Sequence, residues 1–159
     1  MPKHLIGLCG FAGTGKNTVA RYIGWPEASF ASRLKAECDP LAIRIGYEPL
    51  TEKEAIRDLY VLVGKLAREK DPLFWVRNLI LPLSDRVTVT DVRYLNEVQE
   101  IWRRGGLVVR LHRAGIGPSN EEEARSFREI HDWCRDEGAL IPEVHNVDPA
   151  QAAERLSFR

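Results

Sequence analysis

The residues best suited to chemistry stand in one short block. Gly10-Phe11-Ala12-Gly13-Thr14-Gly15-Lys16 follows the spacing G-x-x-x-x-G-K, directly after the apolar run Leu5-Ile6-Gly7-Leu8-Cys9. The chemistry that needs such a loop is phosphate binding. Glycines let the backbone curl until several N–H groups converge on one anion, and a following helix directs its positive end to the same point. Lys16 adds a mobile cation for the β and γ phosphates of a nucleoside triphosphate. The expected phosphate cradle is therefore Phe11, Ala12, Gly13, Thr14, Gly15, Lys16, Asn17 and Thr18. The bland alternative, a glycine turn with a chance lysine, requires strand, spacing and helix to agree by accident. One position departs from the pattern. Asn17 stands where Ser or Thr normally offers a hydroxyl to Mg²⁺, and Thr18 comes one residue late.

A second chemical group lies far along the chain. Asp91 closes the β-branched run Val87-Thr88-Val89-Thr90, and the carboxyl end of a parallel strand is where ligands bind in open α/β sheets. A carboxylate there can hold Mg²⁺ directly or through water. It could equally cap the helix expected to start near Tyr94, and the two roles are compatible. Arg93, two residues on, can reach a phosphate.

Positioning these groups requires strands that alternate with helices. Leu5–Cys9 reads as a buried parallel strand. Lys16–Ile23 reads as a helix with Val19, Ala20 and Ile23 on one face, stopped by Gly24-Trp25-Pro26. After a brief extended piece, residues 28–38 suggest a second helix. Thr51 and Glu54 have capping-box spacing, with Ile56, Leu59, Tyr60, Val63 and Ala67 following at helical intervals. Asp71-Pro72 signals another helix start, with Leu73, Val76 and Ile80 as its stripe. Leu95, Val98 and Trp102 space a helix that Gly105-Gly106 ends, before the strand Leu107–Leu111. A Gly115–Pro118 hinge precedes a capping box at Ser119 to Glu122; Leu140–Val144 is a candidate last strand, and Asp148-Pro149 opens a terminal helix. The pattern implies a three-layer α/β domain, a parallel sheet with helices on both faces. The helical stretch 30–83 is too long for a crossover and reads as a lobe inserted above the sheet.

Bulk properties narrow the classes. The 159 residues suit one domain, and 23 basic residues balance 23 acidic ones, so no duplex nucleic-acid partner is expected. No apolar run approaches the roughly 20 residues of a membrane span, and the first ten residues lead into the motif instead of forming a signal peptide. The three cysteines are scattered without metal-ligand spacing, which suggests inert thiols in a reducing cytoplasm.

Several blocks resemble the phage-type deoxynucleoside monophosphate kinases. The loop Gly10–Ala20 looks like their opening, where Asp-Thr often follows the lysine, so that Asn17 is a familiar kind of departure. Asp91-Val92-Arg93-Tyr94-Leu95-Asn96-Glu97 is similar to their Asp-Val-Arg-Phe-Pro-Asn-Glu segment, with Leu95 in place of Pro. Gly105-Gly106 with Val108-Val109-Arg110-Leu111-His112-Arg113 resembles their Gly-Gly-x-Val-Ile-Arg-Ile-x-Arg strand. Ser29-Phe30-Ala31 with Leu34-Lys35, and Asp71 with Trp75-Val76, match two further segments. The His-x-Ser-Glu segment is poorly kept, Ser119-Asn120-Glu121-Glu122 being nearest, and Val63-Gly64 stands where Gly-Thr-Glu is common.

The resemblance implies a P-loop kinase passing the γ-phosphoryl of ATP to a (deoxy)nucleoside monophosphate, with Mg²⁺ near Asn17, Thr18 and Asp91. Lys16, Asp91 and Arg93 would be catalytic. The acceptor would be bound by Phe30, Arg33, Lys35, Arg68, Trp75 and Arg77 of the 30–83 lobe, together with Arg93. Trp75, Phe30 and Tyr60 could stack on a base, although each also falls on an apolar stripe. Residues 113–128 would form a lid carrying Arg113, Arg125 and Arg128, or else a plain exposed helix. The cytoplasm of a bacterial host and the supply of phage DNA precursors follow from the same resemblance. Monomer and homodimer both stay open. The competing readings are a P-loop kinase of another small metabolite and a non-catalytic nucleotide-binding module.

Overall fold

The computed structural model describes residues 2–146 and 148–156. Five strands form one parallel sheet: β1 (His4–Cys9), β2 (Glu27–Ala28), β3 (Arg86–Val92), β4 (Leu107–His112) and β5 (Glu143–His145), in the order β2-β3-β1-β4-β5. β1 is central: the chain leaves it toward β2 on one side and leaves the adjacent β3 in the opposite direction, across β1, to β4. The connections that follow β1 and β3 therefore part at the carboxyl ends of these two strands, which creates the crevice where α/β sheets bind ligands.

Two helical layers cover the sheet. α1 (Lys16–Ile23) and α7 (Pro149–Leu156) bury Val19, Ala20, Ile23, Ala152, Ala153 and Leu156 against Ile6 and Leu8 of β1, Val109 and Leu111 of β4 and Val144 of β5. The alternate residues of β1 face the other layer, where Ile101 of α5 (Leu95–Arg103) comes so near Gly7 that a side chain there would meet it. α6 (Glu121–Glu137) packs beside α5, with Trp102 and Trp133 in edge contact at 5.3 Å. The three layers are those expected from the alternation of apolar runs. None of the described helices is long and apolar enough to cross a membrane.

The described chain divides into two compact units: one holds the residues up to Ala28 and from Leu81 onward, the other Ser29–Ile80. The second unit is helical, with α2 (Phe30–Arg44), α3 (Arg57–Lys70) and the single turn α4 (Phe74–Arg77). Its local boundaries differ from those expected. α3 starts after, not at, the Thr51–Glu54 capping spacing, because Glu52 turns back to accept the Glu48 N–H at 2.7 Å and closes a separate turn. The expected helix with Leu73, Val76 and Ile80 as its stripe is also absent. α4 ends at Arg77, and Leu73 and Ile80 are exposed. The Leu140–Val144 strand shifts to Glu143–His145, and the α6 N-cap is Asn120, not Ser119.

Trp75 anchors the second unit. It is 6% exposed, stands edge-on to Phe74 at 4.7 Å, and donates its indole N–H to the Gly64 carbonyl at 3.2 Å. The Gly64 carbonyl keeps its place in the α3 ladder, so removing only the indole donor gives up one buried hydrogen bond, worth roughly 0.5–1.5 kcal/mol net. Trp75→Phe is therefore expected to lower unfolding free energy by about that amount in urea titration. A loss of stability too small to measure would show that Trp75 is not the anchor.

Candidate active site

The loop between β1 and α1 has the shape its sequence requires. Gly13 and Gly15 take φ of +82° and +87°, a left-handed conformation that side chains oppose. Gly15 has a second reason to be glycine: a Cβ there would stand 2.5 Å from the Asn146 side-chain nitrogen. Lys16 folds over the loop and donates to the carbonyls of Gly10 (2.6 Å) and Phe11 (2.9 Å). Thr14 is buried and its hydroxyl donates to the Phe11 carbonyl at 2.9 Å, bracing the curl from within. Asn17 and Thr18 lie on the exposed side of the first helical turn, open to a ligand.

Asp91 lies within β3, one residue from its end, and the N-cap of α5 is Tyr94. Asp91 is thus not the helix cap. Its carboxylate is close enough to Lys16 to favour the ammonium, as does Glu123, against burial and the nearby Arg93, which together lower the Lys16 pKa. Arg93 is exposed in the turn after β3. Lys16, Asp91, Arg93 and Glu123 therefore form one electrostatic cluster at the carboxyl edge of β1 and β3.

Four groups that support this cluster were not singled out by sequence. The carboxylate of Glu97 accepts the backbone N–H groups of Arg93 (2.7 Å) and Tyr94 (3.0 Å) through one oxygen. Ser126 of α6 donates to the Arg93 carbonyl at 2.6 Å, so the Arg93 residue is held on both sides. Asn146, just past β5, donates to the Thr14 carbonyl at 2.7 Å while its own N–H bonds the His112 carbonyl at 2.6 Å. The Phe127 ring of α6 lies 4.2 Å from Phe11 and is capped on Arg110, whose guanidinium is 4.3 Å away. Glu97 was visible as part of the Asp-Val-Arg block, but its role depends on a turn of α5 bringing it back under Arg93. Asn146, Ser126 and Phe127 carry no sequence signal of their own.

The remaining expected residues fall in two groups. In the helical unit, Arg33 pairs with Glu37 at 2.5 Å, Arg77 pairs with Asp71, and Lys35 is exposed. Arg68 lies over Gly64, its guanidinium 3.5 Å from where a Cβ would stand, and Phe30 is buried at the start of α2. Tyr60 donates to Asp39 at 2.6 Å, and burial together with that carboxylate pushes its hydroxyl up to about 12. Of the residues expected in a lid, Arg113 is exposed just after β4. Arg125 and Arg128 are instead in the continuous helix α6, paired with Glu129 (3.8 Å) and Glu121 (2.6 Å) on its solvent side. Cys9, with burial the main cause, has its thiol pushed up to about 11, so no thiolate chemistry is expected there.

Asp91, Asn17 and Thr18 offer oxygen donors of the kind a hard divalent cation takes. Among the described residues no three acidic, histidine or cysteine side chains gather into a ready-made metal cage. A Mg²⁺ ion held here would rest on one carboxylate, with phosphates and water completing its shell.

Comparison with known proteins adds a relative. A protein of Acanthamoeba polyphaga mimivirus named "Putative deoxynucleotide monophosphate kinase" is 29% identical over 161 residues, which cover 78% of this chain and 83% of the relative. The chain thus resembles, over most of its length, a protein bearing the name its motif blocks pointed to. No family model matches it. Among solved structures, shikimate kinase from Aquifex aeolicus aligns with 96% of this chain and 92% of its own, at 15% identity and a TM-score of 0.45. A sugar kinase from Janibacter sp. aligns with 98% and 92%, at 14% identity and a TM-score of 0.40.

Glu97 makes the electrostatics testable. Burial pushes its carboxyl up to about 8, with Asp91 acting in the same direction, against the two N–H bonds and Arg93. An unfolded Glu releases its proton near ~4.3. Between the two values the folded chain holds more protons, so this group's contribution to stability falls as pH rises through that window. Gln mimics the protonated acid and cannot titrate. Glu97→Gln should melt with the wild type near about pH 5 and gain on it steadily toward about pH 8. A constant difference between the two melting curves would mean that the Glu97 carboxyl titrates normally.

Proposed function

We propose that this protein transfers the γ-phosphoryl group of ATP to a deoxynucleoside monophosphate, forming the diphosphate and ADP. The observation that carries the reading is the phosphate loop after the central strand, with Lys16 folded over it and Asp91 and Arg93 at the end of the adjacent strand. The mimivirus relative's name, over 78% of this chain, agrees with the motif blocks on the acceptor class.

The chemistry asks little covalent work of the protein. An oxygen of the acceptor phosphate bonds to the γ phosphorus while the bond to the β–γ bridging oxygen breaks, and ADP leaves with that electron pair. The acceptor phosphate is nucleophilic at neutral pH, so no general base is required. What the chain must do is position groups and balance charge. Backbone N–H groups of Ala12 to Thr18 hold the donor phosphates and Lys16 draws their charge. Arg93, fixed through its backbone, meets charge that builds on the transferred group. Bound Mg²⁺, held by Asp91 with Asn17 or Thr18, would neutralise the β and γ oxygens. On this reading the acceptor is bound by the helical unit through Arg33, Lys35, Arg68 and Arg77, with Arg33 and Arg77 leaving their carboxylate partners Glu37 and Asp71 for a phosphate. Phe30 and Trp75 are buried, which favours packing over base stacking for both.

A panel of nucleoside and deoxynucleoside monophosphates with ATP and Mg²⁺, following ADP, tests the reading. At least one deoxynucleotide should raise turnover far above the rate without acceptor. If none does while a non-nucleotide acceptor succeeds, the protein is another small-metabolite kinase; ATP binding with no turnover on any acceptor makes it a binding module. Lys16→Ala should reduce transfer by roughly 100- to 1,000-fold, the cost of losing one preorganised charge-stabilising donor, with the melting temperature little changed. Asp91→Asn should shift the Mg²⁺ titration to higher concentration, and an unmoved titration would remove Asp91 from the metal shell.

A further inference from the structure

The described chain closes its own phosphate loop. The Glu123 carboxylate accepts the backbone N–H of Ala12 at 3.0 Å through one oxygen. Through the other it accepts the Ser119 N–H (2.7 Å) and hydroxyl (2.8 Å). Burial opposes its charge, but the bonds from Ser119 and Ala12 and the nearby Arg93 outweigh that and hold its carboxyl below the usual range. It is an anion sitting on the edge of an anion cradle. The chain between β4 and α6 crosses the same loop: Ile116 approaches within 3.4 Å of the point where a Cβ on Gly13 would stand. The Ile116 N–H bonds the Arg113 carbonyl at 3.1 Å, so this stretch is turned onto the loop.

A triphosphate on this loop meets both obstacles. Ala12 has one N–H, which cannot serve Glu123 and a phosphate oxygen together. Like charges a few ångströms apart at a partly exposed site repel each other. The Phe11–Phe127 ring contact and the Ser126–Arg93 bond hold α6 beside the loop independently of Glu123, so a change of the Glu123 rotamer clears the amide without moving the helix. Release of Glu123 also removes the two bonds that hold Ser119. From these contacts we infer that Glu123 is an internal stand-in for phosphate, and that nucleotide displaces it and so unlatches residues 113–119. The segment that carries Arg113 thus becomes free to rearrange only once the donor is bound. The inference rests on the phosphate-loop reading, not on the identity of the acceptor.

The test measures binding and hydrogen exchange, not turnover. Calorimetry should show Glu123→Ala and Glu123→Gln binding ATP about tenfold more tightly than the wild type, the scale of one removed charge contact, with adenosine affinity unchanged. In wild-type protein, ATP should speed amide exchange at Ser119 and its neighbours; in Glu123→Ala that exchange should already be fast without nucleotide. Equal or weaker ATP binding by both variants, or Ser119 exchange that ATP slows, would overturn the latch. ATP binding without turnover on any acceptor would end the kinase reading and leave the latch standing. No ATP binding by the wild type would end both.

Discussion

An anion site built from backbone N–H groups depends on one constraint: the main chain must hold a curl that its own torsional preferences resist. Side chains can adjust to a ligand, but amides converge only if the peptide planes are already turned. Gly13 and Gly15 permit the curl; they do not enforce it. Enforcement comes from groups spread over the sheet unit. Thr14 closes the loop from inside, Asn146 ties it to the end of β5, and Phe127 stacks on Phe11 from α6. The central position of β1 matters for the same reason. It places the loop where the ends of β3, β4 and β5 can all supply a brace.

The same logic extends to Arg93. A guanidinium acts on a transferred phosphoryl group only if its backbone is fixed, since its long side chain already has many rotamers. Glu97 and Ser126 fix both ends of that one residue, one from the helix that follows it and one from α6. α6 thus braces both the glycine loop after β1 and the turn that bears the arginine. Phe127 and Ser126 lie next to each other on it, so a single helix sets the spacing of the two.

This explains which parts were legible in the sequence. The loop is a contiguous pattern whose chemistry and geometry are encoded within seven residues, and its strand and helix neighbours follow from apolar spacing. The place of Asp91 near the end of a strand was legible from the β-branched run before it; that Tyr94, not Asp91, caps α5 follows only from how the turn after β3 folds. The supports were illegible for a physical reason. Asn146 bonds Thr14 across a sequence gap of 132 residues and Ser126 bonds Arg93 across 33, and a polar residue in a helix or after a short strand does not declare its partner. In the helical unit, helix expected at 51–56 and 78–80 does not form, because turns closed by Glu52 and Asp71 compete locally with it, whereas α2 runs past the expected residue 38 to Arg44. Trp75 matched a substrate segment by sequence, yet its indole N–H is spent on Gly64.

The charge balance of the site carries the argument one step further. Two acids, Asp91 and Glu123, and two cations, Lys16 and Arg93, share one edge of the sheet. In the nucleotide-free chain each cation is opposed by an acid, which is what allows four ionised groups to stay close together. A triphosphate changes that balance by several negative charges. Asp91 can stay if a divalent cation arrives with the nucleotide, since the ion gives the carboxylate a new partner. Glu123 holds no such position: its carboxylate is committed to backbone N–H groups on both sides, one of which the nucleotide needs. The two acids are therefore not equivalent, although both face the same cations. One is suited to remain with the bound nucleotide and the other to leave.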